Sequence, residues 1–219
     1  MACSISLPTL GLKIPEVTFV GPPVDDIVLA ELVPLDIFAV LVDINGFVAF
    51  DGAFHFRGIS SMPEWHSLAL AWTSTTALHT LYSALLPSDV PFAQDALGNQ
   101  FVLRGDQVSL LDGETGELEP LHMTVQDLFG STLNSPGDIL PTNIVKSFQD
   151  TGGALLPGEL PSVYPPFCTK DSAAGVSVKA IAAQERIRFL AHFAAQIAQF
   201  DDGARIEIIT NDDGGLTTR

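Results

Sequence analysis

Apolar residues recur at helical spacing in three regions of the chain. The first region covers 24–44, and a break or kink is expected at Pro34 because proline interrupts helical hydrogen bonding. The second region covers 62–86, in two pieces joined near Thr73, and the third covers 182–200. The third has the widest apolar face, made of Phe189, Leu190, Phe193, Ala194, Ile197 and Phe200. We therefore expect three helical regions, with Phe193 and Ile197 in the core.

Short apolar runs separated by turn residues predict strands. Residues 47–56 contain two such runs around Asp51-Gly52, a pattern typical of a hairpin. Between 89 and 121, three alternating runs are separated by glycine-containing turns, which predicts one contiguous antiparallel meander. Further strands are expected at 176–181 and 205–210.

Helix-capping residues follow the predicted meander. Thr124 is a suitable N-cap and Asp127 stands at the third helical position, which predicts a short helix ending at Gly130. Residues 131–175 have little periodicity and many Pro and Gly, with one helix expected around 144–148. The elements together predict an α+β protein.

The domain organisation follows from these patterns and from length. A chain of 219 residues can bury one hydrophobic core. We predict an extended lead-in over 1–23, a single α+β domain over 24–210, and a mobile tail over 211–219.

Charge is the first indication of function. The formal net charge is -16, and the stretches 14–56 and 105–145 contain no Lys or Arg. Such a chain repels nucleic acid and anionic membranes, so neither is expected as a partner. The acids either keep the surface solvated or form a face that meets a basic protein, and composition alone favours the first interpretation.

Hydropathy and cysteine content bear on the compartment. The mean hydropathy is +0.32, yet the longest uncharged stretch, 66–88, is too polar to be expected to span a membrane. The N-terminus lacks the features of a secretory signal, and two cysteines do not form a disulfide framework. We expect a cytoplasmic protein.

Residues that could carry chemistry are scattered along the chain. The five histidines do not pair at helical spacing, so we expect no metal site, and no glycine-rich phosphate loop or nucleophile elbow is present. We expect His55 on the polar face of its strand and Cys168 as a buried structural thiol. We therefore expect no cofactor and no catalytic residues, and a hydrolase built from distant residues is the least favoured function.

Two segments resemble the SUKH superfamily, which includes the fungal cell-wall-synthesis regulator and many bacterial proteins. The segment 89–104, followed by 107–117, is similar to its central meander, and 45–55 is similar to an element of one bacterial branch. The resemblance implies a curved, mainly antiparallel sheet with helices packed on it. For many bacterial members it also implies immunity, the neutralisation of a toxin by direct binding, and it implies no shared catalytic residues.

The favoured hypothesis is a non-catalytic bacterial immunity-type protein whose partner is a basic toxin domain. A regulatory or scaffold protein that binds another cellular partner is the alternative. The oligomeric state stays open. Six acids are predicted to contact the partner, the last four of them in or beside an exposed turn: Asp43, Asp51, Asp112, Glu114, Glu117 and Glu119.

Overall fold

A computed structural model of the chain describes residues 3–201, 203–204, 209–210 and 216–217. Its main element is a seven-stranded sheet in which every neighbouring pair is antiparallel and the strand order follows the sequence. The strands are β3 (Phe19–Val20), β4 (Phe47–Ala49), β5 (Phe54–Phe56), β6 (Val90–Asp95), β7 (Gln100–Arg104), β8 (Gln107–Leu111) and β9 (Leu118–Met123). The predicted α+β class and mainly antiparallel sheet are confirmed, and so is the meander, which β6 to β9 form within this sheet.

One face of the sheet carries a cluster of phenylalanine rings. Phe54 lies 5.7 Å from Phe101 and 6.0 Å from Phe129, measured between ring centroids. Phe129 belongs to α5 (Val125–Asn134), which begins with the predicted capping box between Thr124 and Asp127. The prediction that this helix ends at Gly130 is wrong, because a further buried residue follows in the next turn and the helix continues to Asn134.

The first predicted helical region forms α1 (Ile27–Leu32) and α2 (Leu35–Asp43), separated at Pro34 as predicted. The second region is far less helical than predicted. It contains a 3-10 turn, α3 (Leu68–Trp72) and α4 (Leu78–Leu81). Between the two helices the Ser74 hydroxyl donates to the Leu70 carbonyl and accepts from the Thr76 amide, and such bonds compete with helix formation.

The other face of the sheet is covered by α8 (Ala183–Ile197), which packs against α4, β10 (Glu159–Tyr164) and β11 (Ser177–Ala182). Val102 and Leu111 of the sheet join the residues of α8 and α4 in a second apolar cluster. Phe193 is buried as predicted, whereas Ile197 is only half-buried and Phe200 is exposed. The apolar face of the helix therefore leaves the core in its last turn.

The N-terminal lead-in is more ordered than predicted. It forms the hairpin of β1 (Cys3–Leu7) and β2 (Leu12–Val17), and Leu7 and Ile14 lie fully buried in the first cluster. Residues 131–175 contain α6 (Pro136–Ile139) and α7 (Thr142–Asp150), which includes the predicted helix, as well as β10.

At the C-terminal end, β12 (Ile209–Thr210) pairs with β13 (Leu216–Thr217). The rest of the predicted strand over 205–210 and of the predicted tail over 211–219 lies outside the described residues.

Candidate functional site

The six acids predicted to contact a partner have different surroundings. Asp43 accepts hydrogen bonds from the Thr9 amide and hydroxyl at 2.8 and 2.9 Å, so it holds the N-terminal hairpin to α2. Asp112 accepts hydrogen bonds from the amides of Glu114 and Thr115, both at 2.8 Å. These bonds stabilise the loop that contains Asp112. These two carboxylates have structural roles within the fold.

Glu114 is the clearest departure from the predicted exposed turn. Its side chain lies 3.7 Å from the guanidinium of Arg186, and both side chains are largely buried. Its second oxygen accepts the amide of Cys168 at 2.9 Å. Burial lowers the pKa of Arg186, and the Glu114 carboxylate opposes that shift. Glu114 therefore joins the loop after β8 to α8 rather than facing solvent.

Cys168 is exposed, which contradicts the predicted buried thiol. Cys168 belongs to the segment after β10, in which Phe167 is exposed as well. Partial desolvation and the neighbouring Glu114 carboxylate raise the pKa of the thiol to about 12. A thiol in this state is a poor nucleophile at neutral pH.

The remaining predicted acids are separated within the sheet. Glu117 and Glu119 are exposed on the loop before β9 and on β9 itself, whereas Asp51 is half-buried between β4 and β5. Five inter-strand steps of about 4.8 Å separate β4 from β9, which is roughly 24 Å along the sheet. The six acids therefore do not form one compact site.

A different surface stands out on α1 and α2. Seven apolar side chains on these helices and just before α1 are exposed, and we call them the α1–α2 surface: Val24, Ile27, Val28, Leu32, Leu35, Phe38 and Val42. Leu35 is 82% exposed and Ile27 is 74% exposed. Contiguous exposed apolar residues on a folded protein mark an interaction surface more often than single ones do.

The exposure arises because both faces of these helices are apolar. Leu29 in α1 and Ile37, Val40 and Leu41 in α2 are buried and fix the helices on the core. A surface helix ordinarily has polar residues opposite its buried face. Here Ile27 in α1 and Leu35 and Val42 in α2 occupy that side and are exposed.

Acidic side chains surround the α1–α2 surface. Asp25, Glu31 and Asp36 are exposed beside it, and no Lys or Arg occurs from 14 to 56. Hydrogen bonds from the hydroxyl and amide of Ser61 lower the pKa of Asp25, which keeps this carboxylate charged. The surface therefore combines exposed apolar area with negative charge at its edge.

A buried polar cluster lies at the β4–β5 end of the sheet. His55 is buried rather than on a solvated face as predicted, because Trp65 and His66 cover that side of β5. His55 Nε2 lies 2.9 Å from His66 Nδ1, and His66 Nε2 lies 2.9 Å from the Asn45 carbonyl oxygen. Since a carbonyl only accepts, His66 donates from Nε2 and accepts from His55 at Nδ1.

Both rings of this pair are neutral near pH 7. Burial lowers the pKa of His66 to about 4 and that of His55 well below its usual value. Between pH 4 and 6.5 the unfolded chain therefore binds more protons at His66, so this residue makes stability fall as the pH drops through that range. Sequence spacing gave no indication of the pair, since the two residues meet through the tertiary fold.

Asp95 is a second buried titratable group, at the turn between β6 and β7. It accepts the amides of Leu97 and Asn99 at 2.8 and 3.0 Å. Burial raises its pKa to about 7, against the hydrogen bonds, which favour the charged form. The stabilisation from the protonated Asp95 is lost as the pH rises from about 4 to 7, so Asp95 lowers stability with rising pH. His66 has the opposite effect, because it raises stability with rising pH.

Arg57 extends the buried cluster toward β6 and β7. Its two terminal nitrogens donate to the carbonyls of Pro91 and Ala93 and to the side-chain oxygens of Gln94 and Gln100, at 2.6 to 3.3 Å. Burial lowers its pKa to about 9. Sequence reasoning missed this residue, because nothing local distinguishes it from a surface arginine.

The described residues contain no group of three or more His, Cys, Asp or Glu side chains that could hold a metal ion. Within the same part of the chain, no helix has the length and apolar character needed to cross a membrane. The cavity beside His55, Trp65 and Gln94 has a volume of about 10 Å³, which admits no substrate larger than a water. Comparison of the chain with protein-family models, curated proteins and solved structures found no match.

Proposed function

We propose that this chain is a non-catalytic protein-binding protein that contacts its partner through the α1–α2 surface. The observation that carries the proposal is the exposure of Ile27, Val28, Leu32, Leu35 and Val42, each at least 60% exposed, on two adjacent helices. Covering such side chains removes apolar area from water, which is the main favourable term in protein association.

The charge around this surface indicates the chemistry of the partner. Glu31 and Asp36 are exposed beside the apolar residues, and no basic residue between 14 and 56 neutralises them. A partner with an apolar patch flanked by Lys or Arg fits this arrangement. Opposite charges at the rim speed the encounter, while the buried apolar centre limits dissociation.

A second copy of this chain fits the surface less well. In a symmetric dimer the same patch faces itself across a two-fold axis. Both facing patches would then carry acids such as Glu31 and Asp36 at their edges, with no base from 14–56 to offset them. Like charges placed together at an interface disfavour association, so a basic partner is the better occupant.

The proposed biological role is immunity, in which the chain neutralises a bacterial toxin in the cytoplasm by direct binding. The resemblance of 89–117 to the SUKH meander and the net charge of -16 support this role. A regulatory or scaffold role with another basic partner is the alternative, and both roles use the same surface.

Co-expression tests the role. Each gene adjacent to the gene of this chain is expressed in a bacterial host, alone and together with the chain, and growth is recorded. We expect one neighbour to be toxic and the chain to restore growth. If no neighbour is toxic, the immunity role is excluded in favour of the regulatory or scaffold alternative.

A matched pair of variants tests the surface in the same assay. Leu32→Ser with Leu35→Ser changes the α1–α2 surface, and Leu86→Ser with Leu156→Ser changes two leucines of comparable exposure elsewhere. All four side chains are more than half exposed, so neither variant should unfold. The first variant should fail to restore growth and the second should succeed; equal rescue by both would refute the assignment of the surface.

A further inference from the structure

A groove lies between α3, α4 and α8, away from the α1–α2 surface. Its volume is about 410 Å³, within the range of roughly 300–1,000 Å³ typical of small-molecule sites. One wall is apolar and is formed by Leu70, Ala71, Leu78, Leu81 and Ile187. The groove is thus large enough, and apolar enough, to accept a small organic molecule.

Two arginines also line this groove, Arg57 and Arg188. In the part of the chain that the structure describes, neither lies within 4.0 Å of a carboxylate. Among the described arginines, Arg104 and Arg186 each pair with a carboxylate, whereas Arg57 and Arg188 do not. Neither guanidinium group is thus paired with a carboxylate of the described residues, and each could pair with a bound anion.

Arg57 is the more informative of the two because it is buried, with 3% of its surface exposed. The four hydrogen bonds of its terminal nitrogens go to neutral oxygens, which fix the guanidinium without neutralising it. These four bonds use every N–H of the two terminal nitrogens, so Nε is the guanidinium donor that they leave over. A buried charge without a counter-charge is costly, and an anion in the groove would relieve that cost.

Glu64 restricts the kind of anion. It lines the groove and accepts a hydrogen bond of 3.4 Å from Gln184, which also lines it. The negative charge of Glu64 repels a doubly charged anion more strongly than a singly charged one. A singly charged anion with an apolar body matches the lining better than a phosphate or a dicarboxylate.

We propose that the groove binds a small monocarboxylate with an apolar chain. The carboxylate pairs with Arg57 and Arg188, and the chain lies against the wall formed by α3, α4 and α8. This site is independent of the proposed protein-binding function, because none of its lining residues belongs to the α1–α2 surface.

Titration with octanoate, followed by the indole N–H resonances of the purified protein, tests the proposal. The chain has two tryptophans; Trp65 lines the groove, whereas Trp72 does not line it and donates to the Pro87 carbonyl at 3.2 Å. We expect a saturable shift of the Trp65 resonance with Trp72 as the internal reference. Octanamide, which has the same chain and no charge, should bind at least about tenfold more weakly because it cannot form an ion pair with the arginines.

A charge-removing variant tests whether Arg188 contributes to octanoate binding. Arg188 is exposed, so Arg188→Gln should fold normally and weaken octanoate binding about fivefold. Lys179→Gln removes the same charge from an exposed site outside the groove and should leave binding unchanged. The proposal is overturned if octanoate at millimolar concentration leaves Trp65 unaffected, if octanamide binds as well, or if both variants bind like the parent.

Discussion

The ion pair between Glu114 and Arg186 gives a quantitative prediction. Replacing Glu114 by glutamine removes the negative charge while preserving the shape of the side chain and an oxygen that can still accept the amide of Cys168. Arg186, whose side chain is 1% exposed, then remains buried and charged. Its Nε already lacks a hydrogen-bond partner among the described residues, and its guanidinium would keep the contact with the Phe189 ring, 5.7 Å away.

The expected loss follows from this geometry. Removing one partner of a buried ion pair typically costs about 3–5 kcal/mol. The Glu114–Arg186 distance of 3.7 Å is long for such a pair, and Asp95 also favours the charged arginine. We therefore expect the lower end, about 3 kcal/mol, or a fall of about 1.5 M in the urea midpoint if the m-value is about 2 kcal/mol/M.

Urea unfolding at pH 7, followed by tryptophan fluorescence, measures the effect. Glu117→Gln is the matched control, because Glu117 is exposed in the same loop and its loss should change stability by less than about 0.5 kcal/mol. Adding Arg186→Met to Glu114→Gln should recover most of the lost stability, since both buried charges are then gone. If Glu114→Gln and Glu117→Gln unfold at the same urea concentration, the assignment of Glu114 as a buried structural acid is refuted.

Three further predictions concern the core and the buried cluster. Phe193→Ala should destabilise by about 3–5 kcal/mol in a urea melt, while the half-buried Ile197→Ala should cost clearly less; equal losses would contradict the observed face of α8. Gly58→Ala should cost at least about 2 kcal/mol because its Cβ would collide with the His66 ring, whereas Gly130→Ala, which meets nothing in α5, should stabilise by up to about 1 kcal/mol. The ring protons of His66 should titrate in NMR near pH 4, and a midpoint near 6.5 would show that the ring is not buried as described.

The parts of the fold that the sequence predicted are those fixed by neighbouring residues. The meander was predicted from its turns, among them those at Gly98 and Gly105, and the positive φ angles of these glycines allow tight connections. The capping box at Thr124 and the break at Pro34 are equally local. The length of α5 was missed because Gly130 is a helix breaker only when tertiary packing does not favour the helix.

The candidate site depended on contacts between distant residues. His66 reaches His55 because Gly58 bridges to Ser67 and because Gly21, Gly46 and Gly58 leave space around its ring. Glu114 finds Arg186 only when α8 packs over the sheet. Nothing in the spacing of these residues specifies either contact.

The α1–α2 surface was not predicted from the sequence, for a different reason. The helical spacing of Ile37, Val40 and Leu41 marks the buried side of α2. No prediction was made for the apolar residues on the opposite side, such as Leu35. The sequence-based hypothesis placed the partner on acids distributed over two stretches. The structure instead groups exposed apolar residues of the first stretch beside a few of its acids.

The central claim, that a partner covers the α1–α2 surface, is tested most directly by amide hydrogen exchange. The chain is measured alone and bound to the neighbouring gene product that it neutralises in the co-expression assay. We expect slower exchange across residues 24–43 on binding, with β9 and the groove of Arg57 and Arg188 unchanged. Unchanged exchange in α1 and α2, together with protection anywhere else on the chain, would contradict the account.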